Sequence, residues 1–209
     1  MNDWIDITRP IDETLVNWPG RKGPQQTWER RIETGHHCNV SAWQINSHCG
    51  THMDAPLHFV DSGKPIDQIQ PQVFIGPCEV IDLSDEPEEL CEVAAARGYE
   101  GTQRLLLKSS HSRPASNNTY RPHNLLMTDE AAEVLVSSGL LLVGTDRLSV
   151  DDSRGECFSL HHRLLSAGCV IVEGLQLADV KPGSYELFAA PLRLTGGEAS
   201  PVRAFLRRC

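Results

Sequence analysis

Apolar residues recur along this chain in short bursts separated by polar, turn-rich segments. Runs at Trp4–Ile7, Val40–Ile45, Val80–Leu83, Leu105–Leu107, Leu140–Val143, Cys169–Val172 and Leu187–Ala190 have strand length, and several are continuous enough to be buried on both faces. Helix signals fall between some of them. Pro87–Arg97 is closed by Gly98. Asp129–Ser138 follows Thr128 as N-cap, carries Asp129 and Glu130 in its first turn and stops at Gly139. A third helix, around Leu160–Ala167, is stopped by Gly168 and leads straight into the Cys169–Val172 strand. Ser109–Pro122, with its serines, asparagines and two prolines, is the longest loop. The pattern predicts an α/β chain. At 209 residues and 40% hydrophobic content it can enclose a core as a single domain, 1–209, and no repeat, low-complexity tract or linker divides it.

The densest chemistry lies in eleven residues, His48-Cys-Gly-Thr-His52-Met-Asp54-Ala-Pro-Leu-His58. Gly50 and Pro56 argue against a continuous helix, because proline removes an amide donor and pushes Ala55 out of the α region. A bent loop is expected, aiming three imidazoles and one carboxylate at a single point. Neutral imidazole with carboxylate is the ligand set of zinc, manganese or iron, not of calcium or a thiolate-bound structural zinc. A second set of candidates follows Leu160. Glu173 ends a buried strand after Cys-Val-Ile-Val, where a carboxylate is costly unless it meets a metal or an arginine. His161 and His162 are adjacent on the helix before it, so one of them faces the site; helix geometry alone does not choose.

Charge and cysteine usage narrow the setting. The net charge of −9 disfavours nucleic acid and anionic membrane as partners, no apolar run approaches the ~20 residues of a membrane span, and Met-Asn-Asp-Trp-Ile-Asp does not read as a signal peptide. Seven cysteines without a Cys-x-x-Cys pair read as reduced thiols. A cytoplasmic enzyme is the simplest expectation. His36, His37, His111 and His123 sit in polar surroundings and read as surface residues. Arg203, Arg207 and Arg208, with Phe205 and Leu206, read as a solvated or interface-lining terminal strand.

The eleven-residue segment resembles the His-x-Gly-Thr/Ala-His-x-Asp-x-Pro-x-His signature of the cyclase-like metal hydrolases, whose best-defined members are bacterial kynurenine formamidases. Asp6-Ile-Thr, Trp18-Pro-Gly20, Ile75-Gly-Pro-Cys78, Gly144-Thr-Asp146, Glu173-Gly-Leu175, Tyr185-Glu-Leu187, Ala190-Pro-Leu192 and Ser200-Pro-Val-Arg-Ala204 are similar to recurrent segments of that family. The resemblance implies a swivelling β/β/α fold with a mixed central sheet, a homodimer or higher homo-oligomer, and two divalent metal ions, zinc or manganese. It implies His48, His52 and Asp54 on one ion, with Asp54 bridging to a second held by His161 and Glu173. His58 would then be the proton donor and acceptor, and Trp18 a substrate contact. The implied reaction is hydrolysis of a small-molecule amide, N-formyl-L-kynurenine, to kynurenine and formate in tryptophan breakdown. One departure is visible: the family commonly has Asp after its Trp/Tyr-Pro-Gly motif, and here Arg21 and Lys22 follow Gly20.

Amide hydrolysis needs a nucleophile at neutral pH, oxyanion stabilisation and a proton for the departing nitrogen. Two metals sharing Asp54 would lower the pKa of a water toward ~7. His58 is suited to proton transfer, and imidazole could equally serve there as a further ligand. Trp18 could be a lid on the core rather than a substrate contact. No Gly-x-Ser-x-Gly elbow, His-Glu-x-x-His or phosphate loop is present. Two other readings stay open: a hydrolase of another small amide, lactam or imide such as isatin, and a metal-binding protein without turnover that serves assembly or regulation.

Overall fold

The computed structural model describes residues 4–86, 89–112 and 120–209. Among the described residues there are ten strands: β1 (Ile5–Asp6), β2 (Gln25–Arg30), β3 (Val40–Gln44), β4 (His52–Asp54), β5 (Ile75–Asp82), β6 (Arg104–Lys108), β7 (Leu142–Thr145), β8 (Val170–Glu173), β9 (Gly183–Pro191) and β10 (Ala199–Arg208). An eight-stranded mixed sheet runs β1-β10-β4-β8-β7-β6-β5-β9, and a further β9–β10 pairing closes it into a barrel that leaves only β1 outside. The β5, β6, β7 and β8 strands are parallel neighbours, and the rest of the sheet is antiparallel. The α/β class with a mixed central sheet agrees with expectation; closure of the sheet is new.

Alternation along the strands splits the core in two. Leu106, Leu142, Val170, Val172, Met53 and Ala204 fill the barrel. The intervening Leu105, Leu107, Val143 and Ile171 face outward; the short α1 (Pro71–Phe74) leads into β5, and α2 (Val93–Arg97), α3 (Asp129–Ser137) and α4 (Ser159–Ser166) cover the outward residues with Ala96, Leu135 and Leu164. The central parallel strands are thus buried on both faces, the reason they read as continuous apolar runs. Each fully buried leucine contributes roughly 2 kcal/mol. The α3 helix begins as expected, with the Thr128 hydroxyl accepting from the Ala131 amide at 3.1 Å, and Gly139 follows it with φ of 103°.

Several expectations need correction. The α2 helix starts at Val93, not Pro87. Cys91 is held in a bridge to Met127, through hydrogen bonds to Leu126 O and from Thr128 N, and Glu92 after it is still extended as the N-cap. Residues 87–88 of the expected helix and 113–119 of the expected loop lie outside the described residues; Ser110–Ser112 forms a 3-10 turn. The β3 strand exists but stands apart from the barrel, paired only with β2 in an exposed hairpin. The terminal strand β10 carries buried Ala204 and Leu206 and seams the barrel shut. His123 is buried and His111 half-buried, their rings 5.5 Å apart, because the segment folds back onto Ser153 through the His123 amide. Burial holds the His123 imidazole down at about 4. His36 and His37 are exposed as expected, and all seven cysteines are free.

One close approach joins the two halves of the chain. Gly174, directly after β8, has φ of 69°, and a Cβ there would lie 2.4 Å from the carbonyl oxygen of Gly50. The Thr51 hydroxyl donates to Gly174 O at 2.7 Å and accepts from the Arg9 amide at 2.8 Å. Gly174→Ala is expected to cost about 3 kcal/mol or more, combining left-handed strain with a backbone clash. Gly139→Ala, with φ of 103° and nothing within 4 Å, should cost only about 1 kcal/mol. Urea denaturation of both variants checks this; equal losses would mean that the contact contributes nothing beyond the dihedral.

Candidate metal centre

The strand β4 is three residues long and pairs on both edges, with β10 and with β8. This overrides the expected bent loop: His52–Asp54 is extended, and the bends fall at His48–Thr51 and at the 3-10 turn Pro56–His58. Alternation sends Met53 into the barrel and His52 and Asp54 to the outer face. The register sets His52 opposite Glu173 and Asp54 opposite Ile171, so the Glu173 carboxylate joins the same face. His161, in the first turn of α4, comes down onto it from above, while His162 is exposed. The ambiguity between the two histidines is resolved by burial.

Asp54 is the hub. It is fully buried, and His48 Nδ1 lies 2.8 Å and His52 Nε2 3.6 Å from its Oδ1, with His161 Nε2 3.6 Å from its Oδ2. Glu173 is reached by His52 Nε2 at 3.5 Å and by His161 Nε2 at 3.4 Å, through different oxygens. Both Asp54 oxygens and His52 Nε2 are buried without an aligned hydrogen bond. A carboxylate so placed is expensive unless a cation meets it, and the donor set of imidazoles and carboxylates is the one that divalent transition metals take. The side chains present therefore fit a divalent cation. Two groupings have ligand atoms within 4.8 Å of one another, His48-Asp54-His58 and His52-Asp54-Glu173, and Asp54 belongs to both.

The charges respond accordingly. Burial pushes the Asp54 carboxyl up, but His52, His161 and His48 outweigh it and hold the group well below the usual carboxylate range. Burial lowers His161, yet hydrogen bonds to Asp151, Asp54 and Glu173 raise it to about 12. His48 is raised by Asp54 against the same burial. His58 goes the other way: burial depresses it to about 4, only partly offset by Asp54. Its ring centroid lies 4.2 Å from that of His48 and 5.9 Å from that of His161. These directions leave His58 a neutral imidazole at pH 7 beside a charged cluster.

Above these groups opens a pocket whose apolar walls are Val16, Trp18, Phe59, Leu148 and Phe158. Trp18 is half-buried at its rim, edge-on to Tyr120 with ring centroids 6.1 Å apart, rather than a lid on the barrel core. Sequence reasoning missed Asp151 and Glu198. Asp151, fully buried, accepts from the amides of Leu160 and His161 at 2.9 and 3.1 Å and meets His161 Nδ1 at 2.5 Å. One carboxylate thereby satisfies the α4 N-terminus and turns His161 Nε2 toward Asp54. Glu198 sits 3.4 Å from His48 Nε2 and accepts from Ser47 at 2.5 Å. Their polar contexts, Asp151-Asp152-Ser-Arg-Gly and Gly-Gly-Glu198, gave no sign of this.

The Cyclase family profile matches residues 5–152. This chain belongs to the cyclase family. The kynurenine formamidase of Salinibacter ruber is 37% identical over 209 residues, covering 97% of this chain and 96% of that protein. The kynurenine formamidase of Geobacillus thermodenitrificans is 37% identical over 210 residues, covering 100% and 99%. Among solved cyclase-fold structures, a predicted metal-dependent hydrolase from Bacillus stearothermophilus is 30% identical, covers 98% of each chain and superposes with a TM-score of 0.82. Isatin hydrolase A from Ralstonia solanacearum shares the fold, with a TM-score of 0.84 at 21% identity over 99% of this chain and 92% of that one.

Asp151→Asn should keep the fold but weaken metal retention about 10- to 100-fold, the usual effect of losing a carboxylate that orients a ligand histidine. Competition against a chelator measures it. Unchanged affinity would reduce Asp151 to a helix cap.

Proposed function

We propose that this chain is a metal-dependent hydrolase of carbon–nitrogen bonds other than peptide bonds, and that its substrate is N-formyl-L-kynurenine, cleaved to L-kynurenine and formate. The observation that carries the hydrolytic reading is the buried Asp54 carboxylate, whose two oxygens are ringed by His48, His52 and His161 and which is flanked by neutral His58. The choice of substrate is supported by the kynurenine formamidases that are 35–37% identical over nearly the whole chain. Isatin is the second reading, resting on fold likeness alone.

We infer two ions, zinc or manganese, sharing Asp54, with His48 and His52 serving one and His161 and Glu173 the other. Membership of Asp54 in both ligand groupings supports the sharing; the groupings themselves set His52 with Glu173 and His48 with His58, and the division of ligands between the ions follows the family resemblance. When bound, the metal supplies Lewis acidity, polarising the formyl carbonyl and acidifying a water. The neutral His58 imidazole accepts the proton as the water oxygen bonds to the formyl carbon, then delivers it to the departing anilide nitrogen as the C–N bond breaks. Glu173 is held in place by the Val150 amide at 2.9 Å, His161 by Asp151. Phe59, whose ring lies 4.6 Å from those of His58 and His161, shields the reacting groups from bulk water.

His58 also belongs to one ligand grouping, which favours a competing role as ligand. His58→Ala is expected to keep nearly its full metal content while kcat on N-formylkynurenine falls by on the order of 10²–10⁴. Because the free-enzyme pKa is depressed, the base form persists as pH drops below 6.5, and kcat/KM should fall only as pH approaches about 4, a limb absent in the variant. Steady-state turnover of N-formylkynurenine and isatin, with metal analysis, decides. Loss of metal in parallel with activity makes His58 a ligand; turnover of isatin alone overturns the formamidase assignment.

We also infer a homo-oligomer. Trp28, Ile32, Trp43 and Ile45 are exposed on and beside the β2–β3 hairpin, a cluster of apolar side chains that a second copy could cover. Light scattering at micromolar concentration should give a multiple of the 23.1 kDa chain mass; a monomer mass contradicts it. Among the described residues no helix is long and apolar enough to cross a membrane.

A further inference from the structure

The pocket has one feature that the metal chemistry does not use. Among the described residues, Arg21 is the only lysine or arginine lining it, together with His48, His52, His58 and Glu173. The position is set by backbone, not by chance packing. Trp18-Pro19-Gly20-Arg21 is a tight turn closed by a hydrogen bond from Arg21 N to Trp18 O at 3.0 Å, with Gly20 at φ of 82° after a proline, the type II pattern. The turn sets the Trp18 ring and the Arg21 side chain on the same rim of the pocket.

Arg21 is further tied to the metal loop. Its Nη1 donates to Asn46 Oδ1 at 3.1 Å, and the same oxygen accepts the His48 amide at 2.9 Å. Its remaining donors meet no carboxylate among the described residues. A guanidinium held beside a site built for cations is a repulsive neighbour for metal and gains nothing from it; it is complementary to an anion arriving with the substrate. The geometry suits a planar, bidentate partner, which means a carboxylate.

We propose that Arg21 is the subsite for a substrate carboxylate, so that this enzyme selects aryl amides whose ring substituent ends in a carboxylate over neutral ones. The proposal rests on the hydrolytic reading of the site: the amide sits at the His58 end, the ring lies against Trp18 and Phe158, and the carboxylate reaches Arg21. N-Formylkynurenine meets that description; isatin, uncharged, does not. The turn that carries Arg21 therefore sets specificity without touching the reacting bond.

The test uses the metal-loaded full chain. Calorimetric binding of kynurenine is compared with that of kynurenamine, which lacks the carboxylate, in wild type, Arg21→Gln and Arg21→Lys. A hydrogen-bonded charge pair corresponds to about 10- to 100-fold in affinity. The wild-type preference for kynurenine should shrink by that factor in Arg21→Gln and partly recover in Arg21→Lys. Turnover of N-formylkynurenine against formanilide should show the same loss of ratio, in KM rather than kcat. If Arg21→Gln weakens both ligands alike, or neither, the carboxylate subsite is wrong. If no formamide is turned over while the preference still depends on Arg21, the subsite stands and the hydrolytic reading falls. Robust turnover with a preference indifferent to Arg21 gives the reverse.

Discussion

A carboxylate with no exposure, faced at both oxygens by imidazoles, is the constraint on which this structure turns. Removing Asp54 from water costs several kcal/mol, and imidazoles that merely stand nearby do not return it unless they carry charge. The neighbours carry it: His48 and His161 are both raised, and His161 in turn depends on Asp151 behind it. The same groups become neutral ligands once a divalent cation replaces their protons, so metal uptake and proton release are one event. The arrangement is tuned for exchange of one positive charge for another, which a structural ion pair is not.

Holding that carboxylate requires backbone to come closer than side chains allow. The loop before β4 and the turn after β8 meet at Gly50 and Gly174, and Thr51 bridges both to Arg9. Three segments far apart in sequence are thus locked around the Asp54 carboxylate. The barrel makes the lock rigid, because β4 is clamped between β10 and β8 and cannot rotate its His52 and Asp54 away without sending Met53 out of the core.

What the sequence made legible follows from the same logic. The parallel strands β6 to β8 were readable because burial on both faces demands unbroken apolar runs, and the cluster around Asp54 because three imidazoles and a carboxylate crowd one short segment. The extended state of β4 was not readable. Its three residues alternate polar and apolar, which a short loop also does, and only pairing on two edges fixes it. The β2 strand, Gln-Gln-Thr-Trp-Glu-Arg, has no buried face and so no pattern to find. His111 and His123 misled for the opposite reason: polar sequence neighbours predict exposure, and a tertiary fold-back onto Ser153 buried them. Asp151 is the instructive miss, since a helix cap supplied from eight residues before the helix leaves no local mark.

On the proposed reading, chemistry and selectivity occupy different kinds of structure here. His52, Asp54 and Glu173 sit on barrel strands and His161 on a packed helix, so their positions are set by the core. Trp18 and Arg21 sit on a turn at the rim, half-buried or exposed, where substitution costs the fold little. On that reading substitutions at the rim change what reaches the centre without moving it; isatin hydrolase A from Ralstonia solanacearum shares the fold at 21% identity. The Arg21-Lys22 pair after Gly20, where the resembling signature commonly has Asp, falls on the rim and not on the strands. It changes the charge at the rim of the pocket while leaving the carboxylate at the centre untouched.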